Sequence, residues 1–159
     1  MIQIYFDRDK CIGCHSCVFA CAVEHSRSKD PAAAHLEEPR PIPRRRMVIV
    51  KGKLRSLACQ HCKKPKCVEA CPNGALVKEE SGEVKLLTEK CAGVFACVEA
   101  CPFDAIWKGP GVAIKCDMCP DRPEGEFACV KACPTGALVA ATPEEWKEIS
   151  KKKKESAKK

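Results

Sequence analysis

Aromatic residues are scarce in this 159-residue chain: five Phe, two Trp and one Tyr make up 5% of it. Charged residues make up 31%. The apolar core must therefore be thin, and a short chain with a thin core needs disulfides or metals as staples. No run of about 18 apolar residues occurs, which excludes a transmembrane helix. No charged segment leading into an apolar run follows Met1, so no signal peptide is expected, and a reducing, cytoplasmic compartment is. Catalytic signatures are missing as well. There is no C-x3-C-x2-C radical motif, no G-x-G-x-x-G, no P-loop and no H-E-x-x-H, and no serine, histidine and aspartate arrangement stands out.

What the chain has in quantity is cysteine, fifteen in all. They fall into four groups: Cys11, Cys14, Cys17, Cys21; Cys59, Cys62, Cys67, Cys71; Cys91, Cys97, Cys101; and Cys116, Cys119, Cys129, Cys133. An odd count in a reducing compartment argues against disulfides. Structural zinc wants tetrahedral fours, which runs of three plus one, ending in proline, fit badly. Thiolates are soft ligands that suit iron in sulfide cages. In two-cluster ferredoxins three spaced cysteines of a run serve one cluster and the fourth, before a proline, serves the other. The third group has a gap, because Val94 stands where a cysteine would restore the spacing of the first. Valine cannot bind iron.

The groups lie in an internal repeat. CVEACPNGAL (Cys67 to Leu76), CVEACPFDAI (Cys97 to Ile106) and CVKACPTGAL (Cys129 to Leu138) are near copies. CVFACAVEHS (Cys17 to Ser26) keeps the spacing but has Ala22 in place of the proline. Each repeat reads as cysteine loop, one helical turn across V-x-A, then strand, with Pro72, Pro102 and Pro134 ending the turn. Leu76–Lys78 with Val84–Leu87, and Ala105–Trp107 with Val112–Ile114, read as hairpins, and Ile2–Phe6 as an opening strand. The fold expected is α+β: duplicated bacterial-ferredoxin-like modules, with short hairpins and short helices around iron–sulfur clusters.

Two segments fall outside the repeat. Ala22 to Arg46, with four prolines, reads as an extended insertion with few internal contacts, and Arg44–Arg46 as a solvated run that could dock an acidic partner. Thr142-Pro143-Glu144-Glu145 is a capping box with proline at the first helical position, so residues 141–159 should form a helix through Trp146 and Ile149 and a frayed lysine tail. The insertion and this helix are candidate docking elements. His15 and His61 sit in cysteine loops, where each could hydrogen-bond a sulfur, although packing is the commoner role. His25 and His35 read as surface residues, Asp104 as a turn residue, Trp107 and Trp146 as packing.

The formal charge of +7 counts cysteine as neutral. A 4Fe–4S core of about +2 on four thiolates nets about −2, so three clusters remove about 6 charges and bring the holoprotein near neutrality. With few aromatics and no recognition motif, no nucleic-acid partner is expected.

Residues 1–140 as a whole resemble the four-cluster ferredoxin-like electron-transfer subunits of molybdenum and tungsten oxidoreductases. CIGCHSCVFACAVEHS, CxHC, CVEACPxGAL and KCDMC look most like the branch associated with carbon-monoxide dehydrogenase, tungsten aldehyde oxidoreductase and class II benzoyl-CoA reductase. In that family motifs one and four share one cluster pair, and motifs two and three the other. The resemblance implies a first cluster on Cys11, Cys14, Cys17 and Cys133, and a second on Cys116, Cys119, Cys129 and Cys21. It implies a third on Cys59, Cys62, Cys67 and Cys101, and leaves Cys71, Cys91 and Cys97 for the last site. That site could carry a 3Fe–4S cluster, a 4Fe–4S cluster with a non-cysteine ligand, or nothing. The expected role is non-catalytic. The chain would relay single electrons between a redox donor or acceptor and a larger tungsten- or molybdenum-pterin subunit, such as benzoyl-CoA reductase or aldehyde oxidoreductase. A free-standing polyferredoxin, or one linked to carbon-monoxide dehydrogenase or hydrogenase, is the alternative.

Overall fold

The computed structural model describes residues 1–156; the last lysines of the tail, within 157–159, lie outside the described residues. In chain order the elements are β1 (Gln3–Phe6), α1 (Ser16–Glu24), α2 (Pro31–His35), β2 (Arg46–Val50), β3 (Lys53–Leu57), α3 (Lys66–Glu69) and β4 (Leu76–Lys78). Then follow β5 (Val84–Leu86), α4 (Ala96–Glu99), β6 (Ile106–Lys108), β7 (Ala113–Lys115), α5 (Ala128–Lys131), β8 (Leu138–Ala141) and α6 (Pro143–Ser156). Short 3-10 turns, Arg8–Lys10 and Thr88–Lys90, lead into Cys11 and Cys91. The fold is thus α+β, with one-turn helices and two-stranded antiparallel sheets, as the repeat predicts.

Each V-x-A segment makes a single turn because the proline after the last cysteine stops it. Where Ala22 replaces that proline, nothing stops the turn, and α1 runs on through Cys21 to Glu24. β4 pairs with β5, and β6 with β7, one residue later than the sequence suggests at the second hairpin. β2 and β3 form a further hairpin that the sequence reading omits, closed by Lys51 and Gly52, both at positive φ.

The decisive pairing is non-local. β1 lies antiparallel to β8, with Gln3 opposite Ala141 and Phe6 opposite Leu138. It joins the strand before the first cysteine group to the strand after the fourth. α1 accordingly packs on α5, and α3 on α4. Buried residues form two clusters. Cys17, Ala58, Met118, Phe127, Cys129 and Leu138 belong to one, and Cys67, Leu76, Val84, Cys97, Ile106 and Ala113 to the other.

The two outlying segments are more ordered than expected. In the insertion, Asp30 caps α2 at the Ala32 and Ala33 amides, 3.0 and 2.8 Å away, with Pro31 at the first helical position. Glu37 accepts from the amides of Arg27 and Ser28 at 3.1 and 2.9 Å. Lys29 reaches Asp121 at 2.7 Å, and Arg122 reaches Glu24 at 2.6 Å. The segment is therefore a folded strap over the fourth cysteine group. Its prolines break regular structure, but its carboxylates supply contacts that a reading of proline content misses.

At the C-terminus the capping box forms. The Thr142 amide and hydroxyl donate to Glu145 Oε2 at 2.7 and 3.0 Å. Tyr5 and Trp146 stack with centroids 4.8 Å apart. The helix continues past Ile149 to Ser156, where fraying was expected, because Lys153 is tied to Asp7 and, at 2.6 Å, to Asp9. Burial pushes the Asp7 carboxyl up. The Lys153 hydrogen bond and the Asp9 amide outweigh it and leave the group below its ordinary 3.8. Its contribution to stability is thus present at neutral pH and lost as pH falls through that lowered value. Asp7→Asn is expected to loosen the end of α6 at pH 7, seen as faster trypsin cleavage within Lys151–Lys154. Unchanged cleavage would mean that the Tyr5–Trp146 stack alone holds the helix. Among the described residues no helix is long and apolar enough to cross a membrane.

Candidate iron–sulfur cluster sites

The fold groups the fifteen thiols into four sets drawn from different motifs. Cys11, Cys14, Cys17 and Cys133 line one recess with Phe6, Met47 and Leu138. Cys21 lies within electrostatic reach of Cys116, Cys119 and Cys129. Cys59, Cys62, Cys67 and Cys101 line a cavity of about 250 Å³ with Val84 and Ile106. Cys97 lies near Cys71 and Cys91. No three His, Cys, Asp or Glu side chains among the described residues converge on a single-ion position. The thiols instead surround spaces.

The backbone suits an anionic cage. In every loop the residue just before the second ligand position has positive φ: Gly13 (70°), His61 (46°), Gly93 (68°) and Met118 (63°). Such a turn swings successive N–H groups to one side, the geometry that cradles anions at phosphate and Fe–S sites. Two of the four are not glycine, and a left-handed His or Met costs about 1 kcal/mol or more unless surroundings demand it. The loop around Val94 keeps the shape of the first loop. Gly93 and Phe95 (60°) match Gly13 and His15 (61°). A Cβ at Gly93 would lie 2.8 Å from the Gly111 carbonyl, so that position admits only glycine.

The last cysteine of each motif also receives an N–H. Ala75 donates to Cys71 Sγ at 3.3 Å, Ala105 to Cys101 at 3.4 Å and Ala137 to Cys133 at 3.2 Å. Each donor lies four residues on, where the chain turns after the proline. Against desolvation, these amides leave Cys71 and Cys133 below the ordinary thiol value of 9.0. Cys21 lacks that turn, and the insertion replaces it: Arg44 N–H returns from 23 residues away to donate at 3.1 Å. Burial pushes Cys21 and Cys119 up to about 12, and Cys67 and Cys116 up to about 11. Binding iron there must expel protons.

The other singled-out residues divide. Asp104 is the turn residue expected, with φ 50°. Trp107 is buried under the Arg46 guanidinium, 4.1 Å from its ring centroid. His61 packs: its backbone amide, not its ring, meets Cys59 Sγ at 3.5 Å, and its Nδ1 accepts from Val84 N–H at 3.0 Å. Burial, then Lys115 and Lys78, push His61 down to about 3, so the ring is neutral. His25 is not a surface residue. Its Nδ1 faces the Cys21 carbonyl at 2.7 Å and its Nε2 faces Asp117 at 3.0 Å, clamping α1 to the fourth motif. Nor are Arg44–Arg46 a solvated run. Arg44 pairs with Asp117, Arg45 is buried, and Arg46 covers Trp107. His25 and Arg44 meet Asp117, and Arg46 meets Trp107, all distant in sequence, which is why the local reading put these side chains in water.

The family description "4Fe-4S dicluster domain" matches residues 50–142, more than half of the chain, and "4Fe-4S binding domain" matches residues 3–23. The chain belongs to the 4Fe-4S dicluster domain family. Electron transport protein HydN of Escherichia coli K12 is 34% identical, with 95% of this chain and 94% of that one covered. Thiosulfate reductase electron transfer subunit PhsB of Salmonella typhi is 35% identical over 72% of this chain and 60% of its own length. A solved structure, the active site complex BamBC of benzoyl-CoA reductase, covers 98% of this chain and 89% of its own at 23% identity and a TM-score of 0.46. That likeness is too loose to assign a partner. The thiol sets, the left-handed loops and the sulfur-directed amides fit the 4Fe–4S clusters of the family.

Proposed function

We propose that the chain is an electron relay with no bond chemistry of its own, and that the four thiol sets are its stations. Cys11, Cys14, Cys17 and Cys133 hold the first 4Fe–4S cluster, and Cys21, Cys116, Cys119 and Cys129 the second. Cys59, Cys62, Cys67 and Cys101 hold the third. Cys71, Cys91 and Cys97 hold a 3Fe–4S cluster, since three thiolates and a retained loop match three irons. Residues 1–140 act as one polyferredoxin unit of two linked pairs. The observation that carries this reading is the crossed grouping, in which the last thiol of each motif joins the loop of another motif. When bound, each cluster takes up or releases one electron. The protein orients the thiolates, directs N–H groups at sulfur, and buries all four thiols of the second set.

A relay needs two contact faces. Cys14 is exposed beside Ile12 (68%) and Phe19 (55%), and Val94 beside the fourth set is 60% exposed. These apolar rims suit a larger catalytic subunit, a tungsten or molybdenum pterin oxidoreductase, and a second redox donor or acceptor. The protein works in the cytoplasm and binds no nucleic acid. PhsB, by name an electron transfer subunit, supports a dedicated subunit. HydN, matched over nearly its whole length and named a transport protein, favours the alternative of a free-standing polyferredoxin. Anaerobic native extract run on size-exclusion, with iron and acid-labile sulfide measured, tests both. About fifteen irons per chain with matching sulfide is expected, eluting with a much larger protein. Elution at the mass of the single chain would select the free polyferredoxin, and zinc without sulfide would defeat the relay.

A further inference from the structure

Two cations are buried with no carboxylate beside them. Lys115, at the end of β7, is 2% exposed, and Arg45 is 4% exposed. Lys115 Nζ donates to the carbonyls of Val84 and Cys116, both at 2.5 Å. Arg45 donates to the Ser56 hydroxyl, and its Nε–H is buried without an acceptor. Neither pairs with Asp or Glu among the described residues. An uncompensated buried charge is among the most unfavourable features a fold can carry, so each cation needs a counter-charge that the polypeptide alone does not supply.

Their positions name it. Arg45 lies within electrostatic reach of Cys129, Cys116 and Cys17. It lines a cavity of about 100 Å³ with Cys59 and Cys116. Lys115 adjoins Cys116 and reaches Cys67 in the third set. The second set therefore receives both charges, the first receives Arg45 through Cys17, and the third receives Lys115. Lys78, which also acts on the third set, is exposed and screened. Asp117, the carboxylate beside the second set, is matched by Arg44 and His25.

We propose that the second-set cluster is the counter-charge of both cations, and that Arg45 and Lys115 make it the highest-potential of the three four-cysteine stations. This rests on the ligand sets proposed above. Reduction adds one negative charge, and a desolvated cation nearby favours the reduced form far more than a solvated one does. The second set becomes the place where an electron rests between the two halves of the chain.

EPR-monitored redox titration of the anaerobic holoprotein tests it, with Cys119→Ser, Cys14→Ser and Cys62→Ser used to assign signals. Lys115→Met is expected to disfavour reduction of the second and third stations, and Arg45→Met that of the second and first. At the second station each shift should be at least tenfold, about 59 mV for a one-electron couple. Lys115→Arg and Arg45→Lys should keep the parent potentials. Unmoved potentials in the Met variants, or equal shifts in the charge-keeping ones, overturn the proposal. If the Met variants fail to assemble, the parent protein decides, since its highest-potential four-iron signal must be the one that Cys119→Ser moves. A response to Cys14→Ser or Cys62→Ser instead overturns it. Iron short of three four-iron clusters would defeat the ligand sets themselves, whereas full iron with unmoved potentials defeats only this inference.

Discussion

Stripping iron and sulfide from the protein is expected to unfold it. The largest fully buried side chains are Lys115, Leu76 and Val84, so a lysine heads a core with little apolar mass. Cysteines sit inside both buried clusters, Cys17, Cys116 and Cys129 in one, Cys67 and Cys97 in the other. Without its cluster the third set leaves a cavity of about 250 Å³. That space opens past the exposed Gln60, Lys64 and Phe103, so without a cluster water would wet Cys67, Val84 and Ile106, in a small domain whose whole stability is about 5–15 kcal/mol. Arg45 and Lys115 would lose their counter-charges as well. Alkali should deepen the loss. Burial raises Cys21 and Cys119 from 9.0 to about 12, so the contribution of these neutral thiols to any iron-free fold is present below pH 9 and is lost as pH rises towards 12. Anaerobic chelation followed by circular dichroism and amide exchange checks this. Collapse of the β1–β8 pairing is expected, with recovery on reconstitution. Protected amides in iron-free protein would reveal a core that does not depend on metal.

Val94→Cys is expected to turn the three-iron site into a four-iron one. The loop is already shaped for it, since Gly93 and Phe95 have the φ values of Gly13 and His15 in the first loop. The side chain is 60% exposed, so exchanging it removes little packing. Iron per chain should rise by about one, and the EPR signal of the oxidised three-iron cluster should vanish. A gain of about four irons would mean that the parent site is empty. An unchanged count with no three-iron signal in the parent would mean that a non-cysteine ligand already completes it.

Local chemistry carried much of this protein in its sequence alone. Cysteine spacing announced iron–sulfur loops, proline set the ends of α3, α4 and α5, Ser81-Gly82 marked the β4–β5 hairpin, and Thr142 with Glu145 started α6. Each depends on residues a few positions apart, whose steric and hydrogen-bonding preferences act before any folding. β2–β3 is equally legible, in the apolar MVIV run before Lys51-Gly52. The β1–β8 pairing was not legible. Two short strands 132 residues apart (Phe6 to Leu138) carry no mutual signal, yet their pairing brings the first and fourth motifs together. The same holds for the folded insertion, whose Arg44 amide reaches Cys21, and for His25, Arg45 and Lys115. A charged or ionisable residue reads as surface unless its partner is known. Here the surroundings come from elsewhere in the chain, Asp117 for His25, Ser56 for Arg45 and the Val84 carbonyl for Lys115, so only the tertiary structure could place these groups inside.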